Sequence, residues 1–137
     1  MSSKRRKARE IALQVLYGVA VSPGEWERPL EETIERRRSS PEAAEYAREI
    51  IRHVAEHSDE LDERIAVRLE NWELKRVSLV DRTILKIALA ELLFFPETPT
   101  KVIIDEAIEI AHIYSSKEAG RFVNGLLDRL ASEVRGA

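Results

Sequence analysis

The chain is expected to fold as an all-α protein, and three observations carry that expectation. Apolar residues recur at the i, i+3, i+4, i+7 spacing of amphipathic helices in segment after segment. No stretch alternates as a half-buried strand would. Ser and Pro fall where helices start and stop. A length of 137 residues with 44% hydrophobic content suffices for one or at most two small domains with a buried core.

Taken in order, helix one runs from about Ser3, a candidate N-cap, to Ala20, with Ala8, Ile11, Ala12, Val15, Leu16 and Val19 inward; Ser22-Pro23-Gly24 stops it. A short helix near Pro29 to Arg37 turns Leu30 and Ile34 inward. Ser40 and Pro41 restart the chain as N-cap and first helical residue, because the N–H that Pro lacks has no partner there anyway. Helix three then buries Ala43, Ala47, Ile50, Ile51 and Val54. Ser58 caps a fourth helix to about Glu70, with Leu61, Ile65 and Leu69 inward and Trp72 closing its end. Ser78 and Asp81 resemble a capping box ahead of the most apolar helix, Leu79 to about Phe94, which is expected to be central. Pro96-Glu97-Thr98-Pro99 forces a turn, and a sixth helix follows from about Val102 to Ile113. The seventh, about Lys117 to Val134, carries the stripe Ala119, Phe122, Val123, Leu126, Leu127, Leu130 and Val134. Its Gly120, Asn124 and Gly125 are poor helix formers and are expected near Arg121 on the opposite side. Such a break in local rules marks either a close helix neighbour or a functional contact.

Charge and composition narrow the function. The first nine residues hold five cations and no anion, whereas the remainder carries 17 cations against 25 anions. An acidic body with a basic tip focuses polyanion binding onto that tip, unless the tip is only a solubilising tail. The absence of Cys excludes disulfides, thiolate metal sites and a Cys nucleophile. No apolar run approaches a membrane span or a signal-peptide core, so a cytoplasmic location is expected.

Catalytic patterns are weak. His53-Val54-Ala55-Glu56-His57 matches the inverted zinc-protease motif, but so small a bundle leaves little room for a third ligand and a cleft. Both imidazoles are therefore expected on the solvent edge of helix three. Phosphate-binding glycine loops and a Ser-His-Asp set with a nucleophile elbow are missing from the sequence. Asp105, Glu106 and Glu109 read as acids favoured by the start of a helix, and Arg36-Arg37-Arg38 as cations favoured by the end of one. No catalytic residue, metal or cofactor is expected.

Helix one is what remains. Lys4, Arg5, Arg6 and Arg9 wrap its start, and Gln14 and Tyr17 continue on its polar side. Arg offers bidentate donors to phosphate, Gln can read base edges, and Tyr can stack on an unpaired base, a set that suits single-stranded RNA.

Four blocks in order resemble the NusB family of bacterial transcription antitermination factors. They are Arg5-Arg6-Lys7-Ala8-Arg9-Glu10 leading to Ala12-Leu13-Gln14-Val15-Leu16-Tyr17, Val80-Asp81-Arg82-Thr83-Ile84-Leu85, Ile104-Asp105-Glu106-Ala107-Ile108-Glu109-Ile110-Ala111, and Phe122-Val123-Asn124-Gly125-Leu126-Leu127-Asp128. The resemblance implies about seven helices in two small bundles, residues 1–76 and 77–137, forming one domain without enzymatic activity. It implies binding of boxA-type RNA together with the NusE ribosomal protein, and association of the pair with elongating RNA polymerase. Lys4, Arg5, Arg6, Arg9 and Gln14 would face the RNA, and Lys117, Arg121, Phe122 and Asn124 would complete the site from the last helix; Phe122 could equally be core. The NusE-type partner would dock around Trp72, Arg76 and Arg82. The family includes monomers and dimers, so a homodimer stays open. Two alternatives remain: a detached RNA-targeting domain related to ribosomal RNA cytosine methyltransferases, and a helical scaffold without RNA affinity.

Overall fold

The computed structural model describes residues 3–69 and 73–136, and all regular structure among them is helical. Seven α-helices follow in order: α1 (Ser3–Val21), α2 (Glu27–Arg36), α3 (Pro41–Glu56), α4 (Ser58–Arg68), α5 (Leu79–Phe94), α6 (Thr100–Tyr114) and α7 (Lys117–Arg135), with one 3-10 turn, Leu74–Arg76, before α5. The side chain of Ser3 and all of residues 70–72 lie outside the described residues, and with them the expected cap by Ser3 and the expected helix end at Glu70 and Trp72.

The helix boundaries have local causes. Ser40 Oγ accepts from the Ala43 amide at 3.1 Å, Ser78 Oγ from the Asp81 amide at 3.1 Å and Ser116 Oγ from the Ala119 amide at 3.0 Å. Each bond satisfies one of the amides that a helix start leaves without a partner. Ser58 does not cap α4. His57 occupies that position, and Ser58 Oγ instead accepts from Lys86 Nζ at 2.7 Å. Nor does α6 begin with acids: it starts at Thr100, which puts Asp105 beyond the first turn, where it pairs with Lys101 at 3.1 Å. The helix-dipole reading of Asp105 thus gives way to an i, i+4 ion pair.

The described chain divides into two compact units, Met1–Arg52 and His53–Ala137. This division falls in α3, not at the boundary near residue 76 read from the sequence. The reason is visible in α4, which packs against α5 and α7. In the first unit, Ala8, Ile11, Ala12, Leu13 and Val15 of α1 are buried together with Leu30 of α2 and Ala43, Ala47, Ile50 and Ile51 of α3. In the second, α5 packs against α4, α6 and α7, which gives it the central position its apolar sequence predicts. Leu61, Ile65, Leu85, Leu89, Ile103, Val123, Leu126, Leu127 and Leu130 are buried there.

Arg135 closes the second unit. Its guanidinium donates to the carbonyls of Glu91, Leu92, Phe95 and Thr98 at 3.2, 2.9, 2.9 and 2.7 Å, and to Thr100 Oγ1 at 3.2 Å. The Glu91 and Phe95 carbonyls also accept from the Phe95 and Thr98 amides at 3.0 Å, so the main service of this side chain from the end of α7 is to the Leu92 and Thr98 carbonyls at the turn that follows α5.

Candidate nucleic-acid interface

The basic start of α1 separates into an inner and an outer set. Arg5 and Arg9 are one helical turn apart and share a face, and both guanidinium groups lie over the ring of Tyr46 on α3, at 4.6 and 5.7 Å from its centroid. Arg5 remains exposed. Arg9 is only 2% exposed, because Leu13, one turn further along the same face, is part of the core. Arg9 is therefore a buried packing residue of the first unit, which corrects its expected place facing RNA. Arg6 is half-buried. Lys4 is exposed and paired with Glu42, whose carboxyl it holds below the usual carboxylate range through that hydrogen bond.

The outer set includes a residue that the sequence reading passes over. Lys7 is exposed and makes no ion pair among the described residues. It shares one helix line with Gln14 and Gly18, at i, i+7 and i+11, and both of these are exposed too. Tyr17, 39% exposed, flanks that line. The i, i+7 relation of Lys7 to Gln14 is readable from the sequence alone. The outer face of α1 thus presents a cation, an amide and a phenol ring along about three turns, with a glycine beside them.

Gln14 and Gly18 owe their exposure to the burial of Ile11, Ala12 and Val15, which turns the opposite face outward. Arg37, part of the second cationic run, donates to Glu10 Oε1 at 3.1 Å. That bond ties the end of α2 to α1 and removes one anion's charge from the neighbourhood of the basic face.

The second unit carries its own polar stripe. Lys117, Arg121, Asn124 and Asp128 fall at i, i+4, i+7 and i+11 on α7, and all four are exposed. Gly125 is exposed beside them, with no atom near enough to touch an added Cβ. Gly120, by contrast, is buried, and a Cβ there would lie 2.1 Å from His112 Nε2 of α6. The expectation that these small residues share one outward side therefore divides: Gly120 admits a helix neighbour, while Asn124 and Gly125 face outward with no packing reason for a glycine. Phe122 is half-buried at the margin of the apolar stripe.

On the expected partner face, Arg76 is exposed in the 3-10 turn and Arg82 is half-buried on α5; Trp72 lies outside the described residues. Arg82 Nε and Asp81 Oδ1 are buried atoms without a hydrogen-bond partner among the described residues. Asp81 does serve its helix start, but through its backbone amide; its carboxylate does not complete the capping box.

Residues 6–132 match the model of the NusB family. The chain belongs to the NusB family. The transcription antitermination protein NusB of Myxococcus xanthus is 39% identical over 131 residues, covering 93% of this chain and 94% of that protein. The solved structure of T. maritima NusB is 40% identical and superposes with a TM-score of 0.89, covering 97% of this chain and 94% of that one. A crystal structure of the antitermination factors NusB and NusE in complex with dsRNA contains a chain 26% identical to this one, with a TM-score of 0.89 over 97% of this chain and 99% of that one. The helical architecture is thus that of the NusB family, and the residues described above are this member's version of it. No helix among the described residues is long and apolar enough to cross a membrane.

Proposed function

We propose that this chain is a non-enzymatic, cytoplasmic transcription antitermination factor that binds boxA-type single-stranded RNA together with a NusE-type ribosomal protein, and that the pair acts on RNA polymerase elongating through ribosomal RNA operons. The observation that carries the reading is the outer face of α1, where exposed Lys7, Gln14 and Tyr17 stand beside Lys4 on a chain whose remainder is acidic. Cations hold phosphates without regard to sequence, whereas Gln14 and Tyr17 supply the edge contact and the stacking plane that a base requires. Lys117, Arg121 and Asn124 on α7 contribute a second set of phosphate and base contacts. Gly125 beside them lets a sugar-phosphate backbone approach without meeting a side chain. Arg5 and Arg6 bind phosphate from the inner margin, and Arg9 acts indirectly, by fixing Tyr46 and the helix start.

The relation to a NusB–NusE–dsRNA complex supports RNA and a NusE-type protein as partners. The partner docks at Arg76, exposed in the 3-10 turn, and at the half-buried Arg82 of α5 in the second unit. The test is a titration of boxA-type RNA, a scrambled RNA of equal length and a duplex form, each with the NusE-type protein present. Tightest binding to single-stranded boxA-type RNA is the expected result. Equal affinity for the scrambled RNA removes the sequence-reading role of Gln14 and Asn124, and preference for the duplex replaces the single strand as ligand.

A further inference from the structure

The histidine motif of α3 is arranged differently from the solvent-edge placement that its sequence suggests. His53 and His57 are both half-buried and both stack on Phe94 of α5, with ring centroids 4.6 and 4.4 Å away and interplanar angles of 5° and 25°. The two imidazoles are 6.2 Å apart and inclined by 21°. Glu56 is exposed beside them, and His53, Glu56 and His57 each offer one ligand atom, all within 4.8 Å of one another.

We propose that His53, Glu56 and His57 form a binding site for one divalent transition-metal ion, zinc being the ion that two imidazoles and one carboxylate suit. Tetrahedral zinc with N and O ligands at about 2.0–2.1 Å holds neighbouring ligand atoms roughly 3.3 Å apart. Side-chain torsions suffice to close the trio from its present spacing, because the i, i+3, i+4 pattern already puts all three on one helix face. The electrostatics favour a cation as well. The trio sits where the C-terminal end of α3 meets the N-terminal end of α4, so the two helix-end charges offset, and the added negative charge comes from Glu56 itself and from the Glu60 carboxylate, 3.6 Å from His57 Nδ1 and shared with Arg64 at 3.2 Å.

Three protein ligands leave the fourth tetrahedral position to water. The role is a clip: His57 is the residue between the end of α3 and the start of α4, so the ion fixes that junction and stabilises the second unit by mass action.

Isothermal titration of the tag-free, chelator-treated full chain with zinc tests the site, together with the visible absorption of bound cobalt as a report on coordination. The expected result is one ion per chain and a higher Tm with zinc than with chelator. His53→Gln and His57→Gln should each weaken affinity by at least about tenfold. Glu56→Gln, at an exposed position where folding is not at risk, should weaken it too and change the cobalt spectrum. Failure to bind one ion per chain overturns the proposal. So does binding that survives Glu56→Gln and His57→Gln unchanged, because the ion then lies elsewhere on the surface.

Discussion

Arg9 and Lys7 are two residues apart on α1 and meet opposite environments, which makes them a sharp pair for separating folding from binding. Arg9→Ala removes a buried side chain from the Tyr46 ring and should lower stability by roughly 1–3 kcal/mol, measured by thermal or urea unfolding. Lys7→Ala should leave stability unchanged and weaken RNA binding. The cationic cluster is legible in the sequence as a cluster, but its division is not. Charge alone says that Arg belongs outside, and only the burial of Leu13 and the placement of Tyr46 reveal that Arg9 is held inside. Arg38 shows another local conflict. With φ at 52° it takes the left-handed position that ends α2, where the Ser39 amide donates to the Ile34 carbonyl at 3.2 Å and the Arg38 amide to the Glu35 carbonyl at 3.0 Å. Glycine normally fills that place, so Arg38→Gly should raise stability by about 1 kcal/mol, read from the urea midpoint. The Glu31–Arg48 pair has a defined pH signature. Its hydrogen bond from Arg48 lowers the Glu31 carboxyl below its ordinary value of 4.5. The pair's stabilisation is therefore fully present above about pH 4.5 and lost as pH falls through the depressed value. Because the pair is exposed, Glu31→Gln should cost only about 0.5 kcal/mol at pH 7, and the difference from the parent should vanish in strong acid.

At the scale of the helix, α7 combines a regular apolar stripe with an outer line that breaks helix rules. Gly125 contacts nothing an added methyl would disturb, so Gly125→Ala should raise stability through helix propensity by up to about 1 kcal/mol, read as a higher Tm. If Gly125 is there to admit a ligand's backbone, the same variant binds RNA more weakly; unchanged RNA affinity would remove that reason for the glycine. Arg135 ends the same helix, and its loss leaves the Leu92 and Thr98 carbonyls at the α5–α6 turn without that donor. Arg135→Ala should cost about 2–3 kcal/mol while leaving the outer line intact. Helix existence and the inward residues of α3 and α4 follow from spacing, and the starts of α3 and α5 from serine side chains that do cap. The glycine at 120 could not be assigned in that way. Its burial depends on His112 of α6, a neighbour that no pattern within α7 contains.

Across the whole molecule, composition foretells an acidic body with one basic end, and seven helices follow from periodicity. The division in α3 does not, because it depends on α4 packing with α5 and α7, a long-range choice that local spacing leaves open. The same holds for His53 and His57, whose shared neighbour Phe94 is distant in sequence. The central claim is electrostatic capture of RNA by the outer cations, with sequence choice left to Gln14 and Asn124. Changing either of these two residues should blur discrimination between boxA-type and scrambled RNA, whereas removing a cation should weaken both alike. The most direct test is the salt dependence of affinity for boxA-type RNA in the presence of the NusE-type protein. Four or five phosphate contacts predict a slope of log affinity against log salt of about −3 to −3.5, reduced in magnitude by about 0.7 in Lys7→Ala. A slope near zero, or one that Lys7→Ala leaves unaltered, would contradict the account.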